Sequence, residues 1–139
     1  MREEREAIRY LSLFDVLGLH RTIMLRLRRD AEALRNEGAL DSALESAKAA
    51  AHYEDADIVR QAALIAVRVS QAQAFVDGNK RTAYLTMDCF LRYNDLAFTG
   101  RPRAMAEQLE AVASREDSLS AATERFEAWL RERIGPRRP

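Results

Sequence analysis

Five apolar residues, Ile58, Ala62, Ile65, Val69 and Ala72, recur at i, i+4, i+7, i+11 and i+14, and a tight Asp77-Gly78-Asn79 turn follows close behind. That spacing draws one apolar stripe down a helix. The helix is expected to open at Asp55 or Asp57 and to end within Phe75–Gly78. A second helix follows at once, from about Asn79 to Asn94. Its apolar residues Ala83, Leu85, Met87, Cys89, Phe90 and Leu91 point in several directions, so other helices should surround it. The constraint is therefore a helical bundle built around this pair.

The flanking segments agree. Ser12 reads as an N-cap with Asp15 three residues on, a weaker form of the capping box. The helix after it carries a stripe of Leu13, Val16, Leu17, His20, Ile23, Met24 and Leu27, which Gly18 weakens without ending. Ile8–Leu11 is expected to be a short extended stretch, and Met1–Glu6 a loose, charged end. Asn36 and Gly38 mark 34–40 as a break, after which Asp41 would cap a short Ala-rich helix reaching about His52. Asp95–Pro102 reads as a loop or a short hairpin-like return. Closing helices fit Arg103–Ala113 and Leu119–Ile134, the second capped by Asp117 or Ser118 and stopped by Gly135–Pro136.

Composition supports the same class. With 5 Gly and 3 Pro in 139 residues, and Ala, Leu, Arg and Glu dominant, the chain is rich in helix formers. Hydrophobic residues at 47% beside 32% charged ones suit a single domain over 1–139, an all-α compact bundle of about six helices. The 22 basic residues balance 22 acidic ones, so no large positive field is available for direct nucleic-acid binding. The basic run Arg26, Arg28 and Arg29 is expected to be a solvated helix face, and Arg137–Arg138 a frayed end. Cys89 is expected to be a core thiol. The sequence shows neither an 18-residue apolar run nor a leader-like start, so no membrane partner and a cytoplasmic location are expected.

The segment that carries chemistry runs from Gln73 to Thr82. A helix N-terminus presents unpaired N–H groups and the positive end of the macrodipole. Lys80 and Arg81 place two cations there, where each would cost typically about 0.3–1 kcal/mol. A bound anion would remove the conflict, with Gly78 giving close access and Arg81 a fork for phosphate oxygens. Asp77 beside them suits Mg²⁺, which commonly accompanies nucleotide phosphates. An ordinary Asp-Gly turn between helices, carrying surface charges, is the competing reading of the same spacing.

Phe75-Val76-Asp77-Gly78-Asn79-Lys80-Arg81-Thr82-Ala83 resembles the active-site motif of the Fic/Doc family, His-x-Phe-x-Asp/Glu-Gly-Asn-Gly/Lys-Arg, and is most similar to its Doc (death-on-curing) branch. Upstream, Leu34–Leu44 resembles the segment that forms the family's substrate flap, and Leu17–His20 the Leu-His of its first helix. The resemblance implies a nucleotide-dependent transferase that moves AMP or phosphate from ATP onto a hydroxyl of a target protein. Doc proteins are toxins restrained by a small antitoxin, and their target is a translation elongation factor. Carried over, Asp77 would hold Mg²⁺, Gly78 and Asn79 would form the anion nest, and Lys80 and Arg81 would bind phosphates. Phe75 would pack inward, and the flap Asn36, Glu37, Gly38, Ala39 and Leu40 would align the target by strand-like pairing.

This sequence departs from the motif at its base. Gln73 stands where the family has His, and a neutral amide can orient a hydroxyl but not deprotonate it near pH 7. Impaired transfer is therefore implied, with an inactive nucleotide- or partner-binding module as the alternative. Tyr84 falls where AMP-transferring members carry a second Arg, Leu85 where Doc proteins use Asn, and Ala74 replaces a frequent Pro. His20, on an apolar stripe, is expected to be a satisfied core residue, and His52 a surface one. Ser120 and Glu124 match only the first half of the family's inhibitory-helix pattern.

Overall fold

The computed structural model describes residues 7–31 and 34–138. Six helices and one pair of short strands follow in order: α1 (Leu13–Arg26), α2 (Glu37–Glu54), α3 (Ile58–Ala72), α4 (Asn79–Tyr93), β1 (Leu96–Phe98), α5 (Pro102–Ala113), α6 (Leu119–Arg131) and β2 (Ile134–Pro136). The expected all-α bundle is what the chain forms. Residues 1–6, expected to be loose, lie outside the described residues.

The caps explain most boundaries. Ser12 Oγ accepts from Asp15 N at 3.2 Å and Asp15 Oδ2 accepts from Ser12 N at 2.8 Å, a reciprocal capping box at the start of α1. Asp57 and Ser118 cap α3 and α6 in the same way from one side. The second helix corrects the sequence reading: α2 begins at Glu37, not Asp41, because Asn36 Oδ1 accepts from Ala39 N at 3.0 Å. Asn36 is a cap rather than a breaker, and Gly38 lies in the first turn, where a helix tolerates it.

α3 is enclosed on nearly every side, with all seven residues from Gln61 to Val67 buried, and it packs on α2, α4, α5 and α6. Ala62, Ala63 and Ala66 have no exposed area, and small residues let neighbouring helices approach closely. Gln61 is buried but fully used: its Oε1 accepts from Tyr10 Oη at 2.6 Å and its Nε2 donates to Ala56 O at 3.0 Å. α4 lies against α3 and buries Thr82, Ala83, Thr86, Met87, Phe90 and Leu91. Cys89 is only half-buried, less enclosed than expected.

Two other expectations fail for a common reason, the demand of backbone groups for partners. Residues 8–11 form no strand; Arg9 instead exchanges hydrogen bonds with the side-chain amide of Asn94, N to Oδ1 at 3.0 Å and O from Nδ2 at 2.9 Å. The last helix stops at Arg131 rather than Ile134. Residues 134–136 turn extended and pair antiparallel with β1, Phe98 opposite Ile134 and Leu96 opposite Pro136. That two-stranded clip closes the hairpin-like return at 95–102 and sets Phe98 against Trp129, ring centroids 5.7 Å apart.

Candidate anion site at the α3–α4 turn

α3 ends at Ala72, earlier than the expected 75–78, because Gln73 adopts the left-handed conformation (φ 51°, ψ 40°). A non-glycine residue there costs roughly 1–3 kcal/mol unless its surroundings hold it. The chain then dives inward. Phe75 is buried and lies flat against the His20 ring of α1, centroids 3.8 Å apart and planes 10° from parallel.

Asn79 fastens this turn from the other side. Its Oδ1 accepts from Phe75 N at 3.0 Å and its Nδ2 donates to Phe75 O at 2.8 Å. The Asn79 side chain is thus committed to the loop, so only its backbone N–H is left for the anion nest expected from the sequence. His20 Nε2 donates to Asp77 O at 2.9 Å, which places the proton on that nitrogen. His20 is the satisfied core histidine expected from its stripe, and what it satisfies is the motif turn.

Gly78 is required where it stands. Its φ is +82°, and a Cβ there would lie 3.2 Å from Met24 Sδ and 3.5 Å from the His20 ring. It also leaves α4 without a side-chain cap. Thr82 N to Gly78 O, at 2.9 Å, is the first rung of the helix. The earlier N–H groups of the first turn, Asn79 to Arg81, are therefore the ones that face outward from the helix end.

The charged groups of the site are positioned as follows. Asp77 Oδ1 accepts from Gly78 N at 2.8 Å, and Oδ2 accepts from Arg29 Nη1 at 2.6 Å. Those two contacts, the guanidinium foremost, hold the Asp77 carboxyl below the usual carboxylate range. Lys80 Nζ forms an ion pair with Glu110 of α5. Arg81 is exposed and lines a cleft of about 440 Å³ between α1, α4 and α5. Ile23, Tyr84, Leu85, Met105 and Leu109 line that cleft too, together with the cations Arg26, Lys80, Arg81 and Arg103. A second hollow of about 370 Å³ holds His20, Met24, Arg28, Arg29, Val76 and Asp77. The turn thus contributes to both hollows.

Among the described residues no three or more His, Cys, Asp or Glu gather as a metal site. Asp77 offers the carboxylate nearest the turn, and Asp30 lines the same hollow. That donor set fits an ion carried in on phosphate oxygens with its own waters, the usual habit of Mg²⁺.

Gln73 is exposed, and its Nε2 donates a long bond of 3.3 Å to Ser70 O. Both histidines are placed otherwise: His20 is spent on Phe75 and Asp77, and His52 is exposed, edge-on to Tyr53. Most of the expected flap is helical rather than extended. Glu37, Gly38, Ala39 and Leu40 form the first turn of α2 behind the Asn36 cap, and helical backbone has no ladder of extended groups to offer a target. The preceding chain is tied to the motif instead, with Arg35 N and Asn36 N both donating to Ala74 O at 2.7 and 3.2 Å. Ser120 and Glu124 are exposed on α6 and line neither hollow.

Sequence reasoning missed Arg29 and Glu110 altogether. Arg29 sits in a basic run read as a solvated face, and Glu110 is an unremarked acid on an amphipathic helix. Neither carries a local signal, because each finds its partner only when α1 and α5 pack beside α4. Among the described residues no helix is long and apolar enough to cross a membrane.

Compared with protein families, the chain matches the Fic/DOC family over residues 10–91, from Tyr10 to Leu91 in the last turn of α4. No curated protein matches it.

Proposed function

The chain belongs to the Fic/DOC family, a family of nucleotide-dependent transferases, and on that premise we propose that it binds the phosphates of ATP with Mg²⁺ at the start of α4. From there it would transfer phosphate or AMP to a hydroxyl of a target protein. The observation that carries this reading is the uncapped start of α4, with Lys80 and Arg81 in its first turn and a backbone held open by Asn79, His20 and Gly78. Lys80 has a partner in Glu110 of α5, but the helix dipole opposes both cations at that end, and an anion bound there would reverse the conflict.

In this reading Asp77 would hold the ion, and Gln73 would stand beside the attacking hydroxyl. The N–H groups of Asn79 to Arg81 and the charges of Lys80 and Arg81 would meet phosphate oxygens, while Gly78 N stays on Asp77. The ion would supply charge neutralisation between phosphate oxygens. Gln73 supplies no base, so transfer runs slowly, sustained by positioning and charge alone. The likeness of the motif to the Doc branch extends the proposal to a toxin role. The target would be a protein such as a translation elongation factor, and a small antitoxin would restrain the chain. The cation-bearing apolar cleft next to Arg81 is the surface on which to look for that antitoxin.

A second reading is favoured by Gln73 itself, whose amide turns back onto Ser70: a binding module that holds nucleotide without transferring it. Purified elongation factor and bacterial lysate, incubated with ATP labelled at the α or the γ phosphate, separate the two. Label on a protein with the unaltered chain supports slow transfer, and the labelled phosphate names the reaction. Label only with Gln73→His supports the binding module. Label with neither variant contradicts the transferase reading.

A further inference from the structure

The pair between Arg29 and Asp77 is built rather than incidental. α1 ends in a Schellman motif: Arg28 takes the left-handed conformation (φ 56°), Arg28 N donates to Leu25 O at 3.0 Å and Arg29 N to Met24 O at 2.9 Å. Those two bonds fix the backbone from which Arg29 reaches Asp77 Oδ2 at 2.6 Å. The other oxygen of Asp77 is occupied by Gly78 N. Arg29 therefore covers the oxygen through which Asp77 would hold a cation.

A guanidinium displaced from that oxygen does not lose its surroundings. Arg29 and Asp77 line the same hollow, and the start of α4 adjoins it. A phosphate whose metal had taken Asp77 would place its oxygens within reach of the released fork, the geometry that guanidinium binds best. Asp30 also lines the hollow, yet Asp77 is the carboxylate that Arg29 holds.

We propose that Arg29 is a phosphate-binding residue of this site that, before the ligand arrives, occupies the metal position on Asp77. It exchanges the carboxylate for phosphate when metal and phosphate enter together. This rests on the reading of α4 as a phosphate site. It goes beyond that reading by assigning a residue outside the motif and by coupling the two ligands.

The consequence is a pair of opposite effects from one substitution. In Arg29→Ala the binding of Mn²⁺ alone tightens, by roughly two- to five-fold, since an exposed competitor is removed. In the same variant the binding of inorganic triphosphate at saturating Mg²⁺ weakens, by about ten-fold or more, since a charged hydrogen bond is lost. Arg29→Lys keeps the competing charge and loses the fork, so Mn²⁺ binding stays near that of the unaltered chain and triphosphate binding falls between the two. The Arg29 side chain is 57% exposed, and its backbone bonds survive substitution, so unchanged thermal unfolding should accompany both variants. Calorimetric titration of the full chain with each ligand reads the result. Effects of the same sign, or no change in either titration, overturn the assignment of Arg29. Failure of the unaltered chain to bind triphosphate at all overturns the phosphate site itself, and the assignment with it.

Discussion

The starts of α3 and α4 are two helix N-termini of one bundle, and they are built on opposite plans. At α3, Asp57 Oδ1 accepts from Arg60 N at 2.8 Å, a standard cap that puts negative charge on the positive end of the helix. Arg131 grips the same carboxylate with both nitrogens, at 2.7 and 3.1 Å. It reaches Glu127 as well, and Glu127 in turn takes Arg60 at 2.8 Å. At α4 there is no side-chain cap and no acid in the first turn, only Lys80 and Arg81. The adjacent carboxylate, Asp77, turns away to Arg29. One end turns a carboxylate onto its own first-turn N–H groups, while the other spends Asn79 and Asp77 on the turn and leaves the helix end itself uncapped. α5 also starts without a side-chain cap, behind Arg101. What sets the α4 start apart is the combination of a left-handed Gly78, a turn fastened by Asn79 and His20, and two adjacent cations in the first turn. That combination makes it the place to look for a ligand.

The largest expected effect tests what the α4 end lacks. Gln73→His should raise transfer to protein by about 10²–10⁴-fold, the usual worth of a general base, measured with labelled ATP. An increase of less than a few-fold would move the deficit to Tyr84, Leu85 or the substrate.

The next effect tests the α3 end. Asp57→Ala removes a cap and a two-pronged ion pair, and should lower stability by about 1–2 kcal/mol, read by urea unfolding. Nucleotide binding should be untouched, since Asp57 lies at the other end of α3 from the turn.

Charge reversal at the α4 end should behave in the contrary way. Arg81→Glu puts an acid where the dipole favours one, so stability should rise by about 0.3–1 kcal/mol while triphosphate binding is lost. A variant that loses both stability and binding would mean Arg81 serves the fold.

The smallest effect is in the acid limb of stability. The hydrogen bonds from Arg131, helped by Arg60 N, hold the Asp57 carboxyl below its ordinary value of 3.8. A group depressed in the folded state stabilises above its unfolded value, and that contribution fades as pH falls through the folded one. Stability should therefore decline below about pH 4, and Asp57→Asn should flatten the decline. Asp57 is more than half exposed, so solvent keeps the effect small. The same sign holds for Asp77 with Arg29.

Much of this contrast was legible in the sequence. The stripe from Ile58 to Ala72, the Ser12–Asp15 box and the Asp-Gly-Asn turn are local patterns, and local patterns fix local structure. The motif turn was legible for the same reason, including the conflict of Lys80 and Arg81 with the dipole. The missed features are those that depend on packing. Asn36 looks like a breaker until Leu40, Ala43, Leu44 and Ala47 are seen buried behind it. The three-residue strands at 96–98 and 134–136 have no periodicity to detect and exist only because α6 brings their ends together. The roles of His20 on Asp77, Arg29 on Asp77 and Glu110 on Lys80 join residues far apart in the chain. The strand-like flap was carried from the family pattern and met an Asn36 cap that makes the segment helical.

The most direct test is an amide-resolved NMR titration of the unaltered chain with ATP and Mg²⁺. If phosphates sit at the start of α4, the backbone signals of Gly78, Asn79, Lys80 and Arg81 should shift first and furthest, with Arg29 following and Asp57 and Arg60 still. Shifts confined to the apolar cleft or absent from Gly78–Arg81 at saturating ATP would contradict it.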